Sequence, residues 1–154
     1  MTLFDGSQIR ITSTANCGGE GITKAIAKEL DVNTVQAHII KTRYGFDPSK
    51  KQKQITRAAS ESFDRLFNEI KKVNRYYLEH SGSKEIEQVI IVGGGSNIPG
   101  VSHYMTDNLK IPTRVCNPWK NIDFADIPKP DPVESTLYTT AIGLALGSEK
   151  DFLK

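Results

Sequence analysis

The sequence predicts an α/β fold, and three observations support this prediction. Residues 89–92 form an unbroken β-branched run that leads into Gly93, Gly94 and Gly95, as expected for a strand covered on both faces. From residue 55 to residue 77 the apolar positions recur at steps of three and four, which predicts a long amphipathic helix. The predicted elements follow the order β, β, α, α, long α, β, α, β, α, which is typical of an α/β domain with few strands.

The first part of the chain is predicted to form a hairpin followed by two helices. Asp5 and Gly6 supply the turn of the hairpin, whose first strand is too short to be a strong member of a sheet. Asn33 or Thr34 caps the second helix, and Gly45 ends it. The predicted strands cover residues 2–4 and 8–13, and the predicted helices cover residues 22–30 and 33–44.

The second part of the chain holds the strand that precedes the glycines and two further helices. The long helix ends near residue 81, and a strand at residues 88–92 follows. Pro99 and Gly100 begin a helix that ends near residue 109, and residues 112–116 form a short strand. After a proline-rich irregular segment, the last helix begins with Glu134 and Ser135 and ends near residue 147. Small residues at every second position from 141 to 147 predict that this helix packs closely against another element.

Composition favours a single soluble globular domain. The chain has 154 residues, of which 38% are hydrophobic and 25% charged, and this is enough for a sizeable core. The net charge of +2 is too small to indicate a nucleic-acid partner. No apolar stretch approaches the ~20 residues of a membrane span, and the first residues lack the pattern of a signal peptide. The chain is therefore expected to be cytoplasmic and to meet a membrane only through partners.

The cysteines and histidines do not form a recognisable metal or redox site. Cys17 and Cys116 lie far apart and have no second ligand near them in the sequence, so single buried or half-buried thiols in a reducing compartment are expected. The three histidines, His38, His80 and His103, are isolated from one another and from both cysteines, and a zinc site is not predicted.

The glycine segment, residues 93–98, is the strongest candidate for a binding site, because open α/β sheets bind ligands at the carboxyl ends of their strands. A P-loop is excluded because Val101 stands where the phosphate-binding lysine would be. The dinucleotide fingerprint is also a poor match, since Ile98 occupies the place of its third glycine. A tight turn without a ligand stays the alternative.

Several longer phrases indicate a family. The segment "GGGSNIPG" after a strand and the small-residue helix "YTTAIGLALG" resemble the second domain of the actin-like ATPase superfamily. The phrases "CGGEGITKAIAKEL", "IKKVNRYYLEHSGSKEIEQVIIVGGGSNIPG" and "LKIPTRVCNPWKNIDF" are similar to the PilM family of type IV pilus assembly proteins. FtsA-like division proteins share part of this layout and are one alternative; a fragment of a sugar kinase or chaperone-type ATPase is the other.

The resemblance implies a fold and a domain division. It implies an actin-like (ribonuclease H-like) second domain, with a small mixed sheet, flanking helices and a helical subdomain insertion. Residues 1–154 would form this domain, with the insertion at about residues 20–85 and the nucleotide-side sheet subdomain at residues 1–19 and 86–147. Because the expected phosphate loop of this domain is not found, the chain is expected to be truncated at its N-terminus.

The resemblance also implies half of a nucleotide site. Gly93, Gly94 and Gly95 would lie beneath the adenosine of ATP, and Asn97 and Ile98 would lie against the plane of its base. His38 and Lys41 would face the base and ribose from the other side, since positions three apart share a helix face. Lys41 matches the residue usual in the family, whereas His38 departs from it.

The phosphate loops, the catalytic carboxylate and the Mg²⁺ of the full-length parent are expected outside this chain. The chain alone is therefore expected to bind ATP weakly or not at all and not to be an enzyme. Its implied role is a cytoplasmic scaffold of type IV pilus assembly, peripheral to the inner membrane through partners such as PilN, which would bind the missing first domain. Self-association stays open.

Overall fold

The computed structural model describes residues 1–82, 85–120, 122–128, 130–131 and 136–147. Among these residues the strands are β1 (Thr2–Asp5), β2 (Gln8–Thr12), β3 (Val89–Ile91) and β4 (Thr113–Val115). The helices are α1 (Gly19–Leu30), α2 (Thr34–Tyr44), α3 (Gln52–His80), α4 (Val101–Leu109) and α5 (Thr139–Leu146). Short 3-10 turns form at Gly94–Asn97 and Thr136–Tyr138. The predicted order of strands and helices is confirmed, although the predicted start of the last helix, at Glu134 and Ser135, lies outside the described residues.

Helix α2 has the ends that its sequence predicts. The side chain of Asn33 accepts a hydrogen bond from the backbone N–H of Gln36 at 2.8 Å, which caps the N-terminus. Gly45 follows the last turn with a φ of 47°, and a Cβ at this position would lie 2.3 Å from the carbonyl oxygen of Pro99. The next N–H, that of Phe46, donates to the same oxygen at 2.7 Å. Glycine is required here because two backbone segments meet, and the contact joins the end of α2 to the start of α4.

Helix α3 is the longest element, with 29 residues, and its apolar stripe is buried as predicted. The first part of the stripe packs against α1 and α4, in a main core that also includes residues of α2. At its centre the Phe63 ring lies 5.2 Å from the rings of both Phe46 and Tyr104, measured between ring centroids. Farther along α3, Val73 and Tyr77 form a second, smaller core with Leu3 of the hairpin. One helix therefore carries both cores.

The strands form two separate sheets within the described part of the chain. Strands β1 and β2 pair antiparallel, and β3 and β4 pair parallel. The prediction of one small mixed sheet is therefore wrong, because the described strands form one antiparallel pair and one parallel pair. The hairpin is held on α3 instead, through the second core and through the hydroxyl of Ser13, which donates to the Glu69 carboxylate at 2.5 Å.

The expectation that the strand before the glycines is covered on both faces is also wrong. Val89 and Ile91 are half-buried against the main core, but Ile90 is 45% exposed and Val92 is 55% exposed. Successive side chains of a strand point to opposite faces, and in the described residues only one face of the β3–β4 pair meets the core. A β-branched run therefore occurs here on a strand that is buried on one side.

Candidate functional site

A cavity of about 730 Å³ lies between the helix pair α1–α2 and the glycine segment. Its walls come from three parts of the chain that are distant in sequence. Helix α1 contributes Gly19, Glu20 and Thr23; helix α2 contributes Thr34, Val35, His38, Ile39, Lys41 and Thr42; and the glycine segment contributes Gly94, Gly95, Asn97 and Ile98.

The structure brings six of the seven residues predicted for the site to this cavity. The six are His38, Lys41, Gly94, Gly95, Asn97 and Ile98. Gly93 is not among the lining residues, and its N–H donates to the carbonyl oxygen of Thr136 at 3.2 Å. His38 is exposed at the rim, and Ile98 is buried and also belongs to the main core. Contact of these residues with adenosine stays a prediction.

The glycine segment forms a tight turn with little side chain on its cavity side. Gly93 has a φ of 83°, a conformation that favours glycine, and a 3-10 turn follows at Gly94–Asn97. The buried hydroxyl of Ser96 donates to the carbonyl oxygen of Gly93 at 2.7 Å and closes the turn internally. A Cβ on Gly95 would meet nothing within 4 Å. Packing within the described residues therefore does not require glycine at position 95, whereas a ligand lying on the backbone would.

Lys41 is a buried charge at the cavity wall. Lys41 is 7% exposed. Its ammonium donates to the hydroxyl of Thr23 at 2.7 Å and to the carbonyl oxygen of Gly19 at 2.9 Å. None of the described carboxylates forms an ion pair with it. Burial lowers the pKa of Lys41 below its ordinary value, because the charged form loses hydration. An ammonium has three N–H donors, so one remains for an acceptor in the cavity.

Helix α2 presents a second apolar face, which the sequence analysis missed. Ala37 and Ile40 point into the main core, while Val35 and Ile39, four residues apart, are more than half exposed and line the cavity. Positions i and i+4 lie on the same side of a helix. A helix with apolar residues on both sides is the signal that could have identified this wall.

A further missed residue is Thr136, which fixes the glycine segment from behind. It is 2% exposed, and its hydroxyl oxygen accepts a hydrogen bond from the Asn97 side-chain amide at 2.8 Å. Together with the bond from Gly93 to the Thr136 carbonyl, this contact holds both ends of the turn. Nothing in the local pattern around position 136 indicates such a role.

Other kinds of site find no support in the described residues. No group of three or more His, Cys, Asp or Glu side chains in these ranges lies close enough to hold a metal ion. Both cysteines are free and half-buried, as predicted, and burial raises the pKa of the Cys17 thiol. Among the described helices, none is both long and apolar enough to span a bilayer.

Fold and cavity together define a small α/β protein with a ligand-sized cleft between a helix pair and a glycine turn at the end of a parallel strand. The sequence profile described as "Type IV pilus assembly protein PilM" matches residues 1–149. The chain therefore belongs to the PilM family of type IV pilus assembly proteins, as its sequence phrases predicted.

A solved structure agrees with this assignment. One chain of the structure described as "PilM-PilN type IV pilus biogenesis complex" matches 94% of this protein with a TM-score of 0.72 at 22% sequence identity. At that identity the likeness shows the fold alone. The protein spans 41% of the length of the chain that it matches. No curated protein matches this sequence.

Proposed function

We propose that this chain carries the adenosine side of an ATP site within an actin-like scaffold of type IV pilus assembly. The observation that carries the proposal is the convergence of six predicted residues, from α2 and from the glycine segment, on one cavity. Its volume of about 730 Å³ lies in the range of roughly 300–1,000 Å³ that is usual for small-molecule sites.

The two main walls suit the two faces of a planar base. On one side, Gly94 and Gly95 leave the backbone open to close approach. On the other side, Val35 and Ile39 offer branched apolar side chains that line the cavity and are more than half exposed. Burying such side chains against an aromatic base is favourable, since apolar area is removed from water on both partners.

Lys41 supplies the polar contact. Its third N–H suits an oxygen acceptor, and a ribose hydroxyl is the acceptor that an adenosine at this position would offer. A buried ammonium without a carboxylate is costly to the folded state. A binding role gives a reason for its presence that packing alone does not give.

The remaining parts of the nucleotide are assigned elsewhere. We place the β- and γ-phosphates and Mg²⁺ against residues outside this chain, because neither a phosphate loop nor an acidic cluster is found among its described residues. On this proposal the chain alone does not hydrolyse ATP, and none of its residues is catalytic.

The family match favours pilus assembly over an FtsA-like division protein, a sugar kinase or a chaperone-type ATPase. The similar solved structure is a PilM–PilN complex, and we propose that PilN binds the whole protein through a part that lies outside this chain. The scaffold would then lie on the cytoplasmic side of the inner membrane through its partners. Nucleotide would bias the relative position of its domains, which the partners sense.

The test is an NMR titration of the 154-residue chain with AMP and with ATP. Because only the adenosine side is present, we expect both ligands to bind weakly and with similar dissociation constants, and to shift the amide signals of Lys41 and Gly95. The variant Gly95→Val should lose this response, since its side chain enters the space that the ligand would fill.

The matched control is Gly21→Val. Gly21 lies on α1, does not line the cavity, and a Cβ there would also meet nothing within 4 Å. Its response to AMP should equal that of the unmodified chain. Undiminished AMP binding by Gly95→Val would show that the adenosine does not lie on the glycine segment. AMP-induced shifts confined to amide signals outside the cavity would show the same.

A further inference from the structure

We propose that Thr136 is a positioning residue that couples the cavity to helix α5, so that occupancy of the cavity changes the position of this helix. The inference rests on the proposed adenosine site and adds a regulatory connection to it. Three observations support it: the hydrogen bonds of Thr136, the unusual exposure of the segment that it holds, and the way in which that segment continues into α5.

The hydrogen bonds of Thr136 bracket the glycine turn. Its carbonyl oxygen accepts from the N–H of Gly93, just before the turn, and its hydroxyl oxygen accepts from the amide of Asn97, at the end of the turn. Asn97 also lines the cavity. A ligand that presses on the turn therefore acts on a backbone whose two ends are held by one residue.

Within the described residues, the segment that follows Thr136 exposes most of its side chains. Thr136 is buried, but its neighbours Leu137 and Tyr138 are both more than half exposed. Leu137 approaches the turn from the same side, because a Cβ on Gly94 would lie 3.4 Å from its Cδ2 atom. Among the three residues of the Thr136–Tyr138 turn, Thr136 is the buried one and the one hydrogen-bonded to the glycine turn.

Helix α5 continues directly from this attachment. The Thr139 hydroxyl donates to the same Thr136 carbonyl oxygen at 3.0 Å and ties the first turn of α5 to it. Helix α5 has no ionisable residue, and Ile142 is its one buried side chain, whereas Leu144 and Leu146 are exposed. A helix with so few buried contacts is expected to be easily displaced.

Coupling of this kind is reciprocal. If the ligand stabilises one position of α5, then any change that favours this position raises the affinity for the ligand by the same factor. Thr136 would thus connect the nucleotide to a surface that does not touch it.

The experiment is the AMP titration followed at two places at once, the cavity amides and the α5 amides of Ile142 to Leu146. In the unmodified chain we expect AMP to shift both sets with the same dissociation constant. Thr136→Val removes the hydroxyl acceptor at nearly constant volume, and we expect it to abolish the α5 shifts and to weaken AMP binding about threefold to tenfold, the loss typical of one buried hydrogen bond.

Thr136→Ser retains the hydroxyl and should restore both responses, which a role in packing alone would not require. Thr140→Val on the exposed side of α5 serves as the control and should behave like the unmodified chain. AMP shifts at the cavity without shifts at α5 in the unmodified chain would overturn the coupling and leave the adenosine site standing. No shifts at either place would overturn both. If Thr136→Val does not fold, the α5 shifts of the unmodified chain and of Thr136→Ser still decide whether AMP in the cavity changes the position of α5.

Discussion

Two parts of the molecule bury their apolar side chains to very different extents. The helical half consists of α1, α2, the first part of α3 and α4, and the strand-bearing half consists of the strands and α5. Around α1, α2, the first part of α3 and α4, the core is dense, and Ile26, Ile55 and Ala59 are almost completely inaccessible. Strands β1, β2 and β3 and helix α5 instead leave Phe4, Ile9, Ile90 and both α5 leucines exposed to solvent. The cavity lies where these two halves meet.

This difference shows how far each kind of element depends on distant partners. An amphipathic helix can bury its stripe against a neighbouring helix that follows closely in sequence, as α1 and α2 do. A strand needs a hydrogen-bonding partner on at least one edge and apolar cover on at least one face, and for β3 both come from residues that are remote in sequence. In the part of the chain that the structure describes, the two strand pairs are not hydrogen-bonded to each other and form separate sheets.

The largest expected effect tests the dense half. Phe63→Ala removes the ring at the centre of the main core, where it touches Phe46, Phe67 and Tyr104. We expect the free energy of unfolding to fall by about 3–5 kcal/mol, the usual loss for a large buried aromatic side chain. Denaturant unfolding followed by circular dichroism measures this change.

The control is Phe4→Ala, which makes the same substitution in the strand-bearing half. Phe4 is 60% exposed, so the loss should stay below about 1 kcal/mol. Similar losses of unfolding free energy for Phe63→Ala and Phe4→Ala would show that the hairpin is packed as firmly as the helices. The two halves would then not differ in burial.

A smaller effect should separate the two faces of β3. Ile91→Thr places a hydroxyl on the side that packs against the main core, and we expect a loss of about 1–2 kcal/mol. Ile90→Thr makes the same change on the exposed face and should alter stability by less than about 0.5 kcal/mol. Equal losses in thermal unfolding would mean that a further element covers Ile90.

Apart from the two control substitutions, Phe4→Ala and Ile90→Thr, the smallest effect on stability is expected at Lys41, a buried charge within the dense half. Lys41→Met keeps a long side chain but removes the buried charge, and Thr23 still donates its hydroxyl to the carbonyl oxygen of Gly19. We expect the free energy of unfolding at neutral pH to change by less than about 1 kcal/mol, in either direction. Binding of AMP should nevertheless weaken several-fold.

The pH dependence gives a separate measurement of the same group. Burial lowers the pKa of Lys41 in the folded state from its ordinary value of 10.5. Between the lowered pKa of the folded state and the ordinary value of 10.5, the unfolded chain binds more protons than the folded chain. Stability therefore rises with pH in this window and falls as pH drops through the folded-state pKa. The unmodified chain should therefore gain Tm relative to Lys41→Met as pH rises towards 10.5. An unchanged difference across this range would show that Lys41 is hydrated.

The predictions that succeeded rest on local patterns. The periodic stripe identified α3, and Asn33 and Gly45 marked the ends of α2. The family phrases led to six of the thirteen residues that line the cavity, and their contact with adenosine stays a prediction. The predictions that failed concern long-range pairing. The β-branched residues of β3 resemble those of a strand that is covered on both faces, because sequence records the chemistry of a side chain and not what lies against it.

The residues missed at the site have the same explanation. Val35 and Ile39 resemble ordinary core positions of a helix, and Thr136 resembles any threonine before a helix. Their roles depend on which surface of α2 remains open and on which backbone groups approach position 136.

By itself, the sequence determined the order and type of the elements, the ends of α2, the stripe of α3 and the family, because each of these is written in residues that are neighbours along the chain. Only the tertiary structure decided that the strands of the described ranges form two separate pairs, that α2 has an apolar wall facing a cavity, and that Thr136 holds the glycine turn. The physical reason is that burial and hydrogen bonding are properties of the space around a residue, and that space is filled by parts of the chain that are distant in sequence.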